Sequence, residues 1–156
     1  MAAQRSSASD ALSTALRLLT VRDRSESELL RRLQEKQFPD DEIAAALERC
    51  RDFGYLDDRR FALNRARMLL REGRAVGRRL GWELRRGGVA DDLIDLAMTT
   101  ATAEYPPLEV LREQLERRYP HYDHHLADNR ERRRVIQFFQ RRGFALGDIL
   151  SVLQKG

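Results

Sequence analysis

The chain has a single cysteine, Cys50, among its 156 residues, so an internal disulfide is excluded and the composition fits a reducing compartment. Lysine is nearly absent. Lys36 and Lys155 are the two lysines among 29 basic residues, so the positive charge is almost all guanidinium. Codon bias and selection for arginine's forked donors both account for that. No apolar run approaches the roughly 20 residues of a membrane span. The first ten residues, rich in Ser and Ala, lack the apolar core of a signal peptide. The expectation is a cytoplasmic protein, not membrane-bound, with a disordered tail over residues 1–9.

Catalytic signatures are missing too. No glycine-rich phosphate loop ends in Lys-Ser/Thr. Histidines gather once, in His121-Tyr122-Asp123-His124-His125, with no second cluster to complete a metal site. Cys50 falls on an apolar stripe, which reads as buried filler rather than a nucleophile. The carboxylate pairs Asp57-Asp58 and Asp91-Asp92 sit at helix starts, where capping accounts for them. No alternating run is long enough for a strand. A non-enzymatic, all-α protein without cofactor or metal follows.

What is present is one pattern written three times. Leu33, Phe38, Pro39, Asp40, Asp41 and Ile43 read as a helix end, a tight connection and a new helix start. Pro39 suits a first helical turn, and the acids oppose the positive end of the helix dipole. Leu84, Val89, Asp91-Asp92 and Ile94 repeat the pattern 51 residues on (38 to 89). Phe139, Phe144 and Ile149 repeat it after 55 more (89 to 144). Leu29, Leu80 and Val135 fall in the same register, as do Leu47, Met98 and Leu153. Such periodicity marks an array. The predicted architecture is an elongated array of three tandem three-helix modules, nine helices in all, over residues 10–56, 57–105 and 106–156. Each is too small to bury much alone, so neighbours stabilise one another.

Local signals place the helices. Leu12, Ala15, Leu16 and Leu19 share one face. Ser25 caps the second helix with Glu28 at capping-box spacing, and Asp128 with Glu131 repeats this near the C-terminus. The third helix ends at Phe53-Gly54, where glycine takes the left-handed turn. Asp57 caps the fourth, Gly73 and Gly77 bracket a short link, and Val76, Leu80 and Leu84 step by four. Gly87-Gly88 closes the fifth helix. Pro106-Pro107 forces a break. Tyr119 to Ala127 forms the longest connection.

The formal charge of +4 is small but uneven. Residues 71–86 hold Arg71, Arg74, Arg78, Arg79, Arg85 and Arg86 against Glu72 and Glu83. Residues 128–142 hold Arg130, Arg132, Arg133, Arg134, Arg141 and Arg142 against Asp128 and Glu131. Residues 87–111 carry five acids and no base. The basic blocks therefore fall on the middle helices of the second and third modules, where they read either as solvated faces or as two steps of one basic binding ridge. Trp82 and Phe138 stand in register with polar residues, off the internal stripe. They read as packing between modules or as partner contacts. Aromatics and arginines do not interleave closely along the chain, as a single-strand stacking platform requires.

Arg24-Ser25-Glu26-Ser27-Glu28-Leu29, then Gly54-Tyr55-Leu56-Asp57-Asp58 with Phe61-Ala62, resembles the RecX family, bacterial regulators of the RecA recombinase. The Gly73–Gly77 link and Glu83-Leu84 with Gly88-Val89 continue the likeness, which runs from Ala11 to Leu153 and departs most in the third repeat. The resemblance implies three tandem three-helix units and no catalysis. It implies binding to the RecA monomer and to its filament on DNA, with inhibition of ATP hydrolysis, strand exchange and coprotease activity, and so modulation of DNA repair and the SOS response. A monomer lying along the filament groove fits it. Two other readings stand beside it: a helix-turn-helix-like module that binds DNA directly, and a helical scaffold for another protein.

Overall fold

The computed structural model describes residues 2–155, with side chains from Asp10 onward, so the tail expected over residues 1–9 lies outside the described side chains. Among the described residues there is no strand. The helices are α1 (Ala2–Val21), α2 (Glu26–Glu35), α3 (Asp40–Asp52), α4 (Asp58–Arg71), α5 (Gly77–Arg86), α6 (Asp91–Glu104), α7 (Pro107–Arg118), α8 (Asn129–Arg141) and α9 (Leu146–Gln154). No helix among the described residues is long and apolar enough to cross a membrane.

The helix starts follow from their caps. Ser25 Oγ accepts the Glu28 N–H at 3.1 Å. Asp128 Oδ1 accepts the Glu131 N–H at 2.8 Å, and Asp57 Oδ1 the Arg60 N–H at 3.1 Å. Each satisfies one of the orphan donors of a first turn. The expected box around Ser25 is only half built, because the Glu28 carboxylate turns instead to Arg22 and Arg24. Pro39 sits one residue earlier than expected, as the N-cap of α3 with ψ 148°, and Asp40 takes the first helical place. Its ring still costs no hydrogen bond there.

The repeated apolar register is the buried register. Leu29, Leu80 and Val135 are fully buried, as are Leu33, Leu84 and Phe139. Ile43, Ile94 and Ile149 are buried, whereas Phe38 and Met98 are half-buried. Burying each such side chain contributes about 1.5–3 kcal/mol before ordering entropy is set against it. Cys50 is buried within the same set, and burial raises its thiol pKa above the ordinary 9.0. A protonated, enclosed thiol packs rather than reacts.

Two compact units result. One comprises the chain up to Ala62 together with Arg85–Leu93; the other comprises Leu63–Leu84 together with Ile94 onward. The first is built on Ala11, Ala15, Leu29, Leu33, Ile43, Ala46, Leu47, Cys50 and Leu56. In it the end of α5 meets the start of α2: Ser25 Oγ donates to the Gly87 carbonyl. Gly88, at φ +87°, lies so near Ser27 that a Cβ there would stand 2.6 Å from the Ser27 Cβ.

The second unit repeats this joint with different helices. The start of α5 meets the end of α8, and the Val76 N–H donates to the Arg142 carbonyl at 2.8 Å. Gly143, at φ +97°, is pressed against Val76, and a Cβ would run into the Val76 carbonyl oxygen and lie 2.9 Å from the Arg79 Cβ. Both joints spend the orphan carbonyls of one helix end on donors at the start of another.

Candidate partner-binding surface

The second joint positions a cluster of guanidinium groups. Because Arg142 immediately precedes the Gly143 turn, its side chain leaves α8 beside the link that precedes α5. Its Nη1 donates to the Gly73 carbonyl at 3.0 Å, and its guanidinium lies 4.2 Å from the centre of the Phe138 ring. Arg118 lies over the same ring at 5.5 Å. The ring is held edge-on against Phe139 at 5.1 Å and Tyr119 at 5.6 Å. Burial pushes the Arg142 guanidinium pKa down, and nearby Arg118 and Arg74 add to the shift by like-charge repulsion. It remains a cation at neutral pH.

Leu69, Arg74, Arg79, Glu83, Phe138, Arg141 and Arg142 line a cleft of about 430 Å³ beside it. Arg79 donates to Glu83 Oε1 at 3.0 Å while stacking 4.5 Å from the centre of the Trp82 ring. Arg74 reaches Glu72 at 3.4 Å. Among the described residues no carboxylate comes within ion-pair distance of Arg141 or Arg142. The two arginine blocks, 62 residues apart at Arg79 and Arg141, thus meet on one cleft.

The remaining candidates are dispersed. Arg85 pairs with Asp91 at 3.1 Å in the first unit, where Arg86 is also exposed. Arg132 donates to the His124 and His125 carbonyls, so it pins the long connection. There the Tyr122 hydroxyl also meets His124 Nδ1 at 2.9 Å. Arg71, Arg78, Arg130, Arg133 and Arg134 are exposed, with no carboxylate in ion-pair distance among the described residues. Trp82 is exposed and Phe138 half-buried. Phe138 packs on Tyr119 and Phe139 of its own module and lines the cleft together with Leu69, Arg74, Arg79 and Glu83 of the second. Sequence reasoning missed Arg118, which follows Arg117 in the last turn of α7. It treated Glu83 as a charge offset and as part of the family likeness, not as a residue lining the cleft.

Comparison with known proteins converges on one family. Residues 11–50 match the family description "RecX, first three-helix domain", and residues 104–153 match "RecX, third three-helix domain". The chain is 47% identical over 136 residues to the "Regulatory protein RecX" of Syntrophotalea carbinolica, covering 87% of this chain and 89% of that one. It is 42% identical over 147 residues to that of Trichlorobacter lovleyi, covering 94% and 96%. In fold it is similar to the crystal structure of RecX from Lactobacillus salivarius, with a TM-score of 0.73 at 19% identity over 97% of each chain. A second structure, titled "Crystal structure of regulatory protein RecX", gives the same TM-score at 23% identity, over 99% of this chain and 74% of that one. An all-α chain of repeated three-helix domains with relatives of this similarity over most of its length belongs to the RecX family of regulatory proteins.

Proposed function

We propose that this protein is a non-enzymatic, monomeric, cytoplasmic regulator of the RecA recombinase. It binds the monomer and the filament on DNA and inhibits ATP hydrolysis, strand exchange and coprotease activity. The modules that do so are residues 10–56, 57–105 and 106–156. The observation that carries this reading is the convergence of arginines from both basic blocks on one cleft, with Arg141 and Arg142 in no ion pair among the described residues, in a chain whose relatives are named regulatory proteins.

A filament repeats one protomer. A protein that repeats one module can contact several protomers at once, and weak contacts then reinforce one another. Bound in this way it holds protomer interfaces that must move during turnover. Arginine supplies the bidentate contacts such binding needs, and their exposure makes the interaction sensitive to salt.

The test is recombinase ATPase on single-stranded DNA, titrated with this protein at two salt concentrations. Inhibition that weakens at the higher salt is the expected result. Neutralising Arg78, Arg79, Arg133 and Arg134 together should abolish it. Unchanged filament binding by that variant would remove the basic surface from the mechanism. Tight, sequence-dependent shifts of bare duplex would instead favour a direct DNA reader.

A further inference from the structure

We infer that the cleft between α5 and α8 in the second unit is a receptor for a carboxylate on an acidic, partly apolar segment of a protein partner. Arg141 and Arg142 grip the carboxylate, and Leu69 and Phe138 take the neighbouring apolar group. This deepens the regulatory reading above and rests on it for the partner's being a protein.

Three features carry the inference. First, the chain shows elsewhere how carboxylates partner its arginines, at a buried site and at an exposed one. In the first unit Arg24, 7% exposed, reaches Glu28 at 2.8 Å, and Glu28 also accepts Arg22. In the second unit Arg67 is gripped by Glu104 through two parallel bonds, Nε to Oε2 at 2.7 Å and Nη2 to Oε1 at 2.6 Å. Arg142 is half-buried beside Arg118 and Arg74 with no such partner. A cluster of like charges held together by stacking and one carbonyl bond is matched by an incoming anion.

Second, the guanidinium of Arg142 lies over the Phe138 ring and donates one N–H to Gly73. Its flat face is therefore used, and its other in-plane donors stay available for a planar, two-oxygen acceptor. Arg141 lines the same cleft as a second fork.

Third, the walls disfavour a nucleic-acid strand. Glu83 lines the cleft, and Glu72 is held at its edge by Arg74. Each phosphate of a strand crossing the cleft would face this acidic lining, whereas a single carboxylate needs only the one site at Arg141 and Arg142. The Phe138 ring, already carrying guanidinium groups, offers no bare platform for bases.

The test uses the full chain and three probes: a short blocked peptide alternating aspartate with leucine, its asparagine counterpart, and a short oligothymidylate. Binding is read by anisotropy of labelled probe and by the fluorescence of Trp82, the sole tryptophan, whose ring stacks with the cleft residue Arg79. The acidic peptide is expected to bind and the asparagine peptide not to. Arg141→Gln, at an exposed side chain with no structural bond, should weaken binding at least about tenfold, the loss of one charge-assisted contact. Arg142→Lys, which keeps the charge and removes the fork, should do likewise, with thermal melting confirming the fold. Arg17→Gln, an equal change in net charge on exposed α1, should leave binding unchanged.

Equal binding of both peptides, no peptide binding at all, or tighter oligothymidylate binding that depends on Arg141 and Arg142 would each overturn the inference. Recombinase inhibition separates it from the broader reading. If Arg141→Gln abolishes peptide binding yet inhibits the recombinase fully, the cleft is not the partner site and the regulatory function stands. If the unaltered protein fails to inhibit, the regulatory reading falls while the cleft's chemistry stands.

Discussion

The joint at Ser25 and the joint at Val76 are the same construction made from different atoms. In the first unit a serine hydroxyl reaches a carbonyl at the end of α5. In the second a backbone N–H reaches a carbonyl at the end of α8. In both the receiving turn holds a glycine with positive φ, Gly88 and Gly143. The repeat register places Gln37 at the same position in the first module, and it too has a positive φ, 64°. A left-handed turn by itself therefore tolerates a side chain here. Close approach is what excludes one at Gly88 and Gly143, whereas the Gln37 side chain is exposed.

Three substitutions sharpen this, since they share a conformation and differ in surroundings. Gly143→Ala combines the left-handed cost with a collision against backbone, which cannot swing aside. It should cost about 3–5 kcal/mol or prevent folding. Gly88→Ala meets the Ser27 side chain instead and should cost about 2–3 kcal/mol. Gly54→Ala, at φ +76° with nothing within 4 Å of the added Cβ, should cost only about 1 kcal/mol. Urea denaturation of the three variants checks the order. Equal losses would mean that conformation rather than proximity selects glycine, and would break the distinction drawn between the joints and Gln37.

The same two regions treat arginine in opposite ways. Glu28 of α2 stands in register with Arg79 of α5 and Arg134 of α8. Between residues 26 and 36 the bases Arg31, Arg32 and Lys36 are balanced by Glu26, Glu28 and Glu35. Across the equivalent residues 132–142 there are five arginines and no acid. The first module neutralises its buried Arg24 internally, whereas the half-buried Arg142 of the third has no carboxylate within ion-pair distance among the described residues. Glu28→Gln should therefore cost about 2 kcal/mol in thermal or urea unfolding, since it strands the buried Arg24. That is below the usual range because the carboxylate keeps 12% of its surface exposed. Arg142→Met should change stability by no more than about 1 kcal/mol, because losing the Gly73 bond is offset by relief from Arg118 and Arg74. A large loss at Arg142 would make it a structural residue like Arg24.

Much of the fold was legible because it is governed by local chemistry. Caps at Ser25, Asp57 and Asp128, and the apolar steps Leu29–Leu33 and Leu80–Leu84, lie within a few residues of the atoms they serve. Pro39 was misplaced by one residue because both the cap and the first turn accept its fixed φ. The joints were not legible. Ser25 and Gly87 are 62 residues apart, and no local pattern distinguishes a glycine that ends a helix from one that also admits a neighbour. For the surface, the arginine blocks were visible as charge runs. Their meeting at one cleft was not, because it depends on the Val76–Arg142 bond. Arg118 carried no signal at all, being outside either block.

The smallest effect bears most directly on why the first module differs. Gln37 holds a left-handed conformation that costs a non-glycine residue on the order of 1 kcal/mol, and its side chain is exposed. Gln37→Gly relieves this strain but loosens the unfolded chain, so the two effects partly cancel. The expected result is a gain of about 0.5 kcal/mol in urea unfolding. The register makes that sign informative. At Gly88 and Gly143 the reverse change, glycine to a side chain, is a loss driven by contact, whereas at Gln37 the penalty is torsional alone. A clear loss on Gln37→Gly would show that this side chain makes a contact worth more than its strain, and the end of α2 would then be a filled joint like the other two.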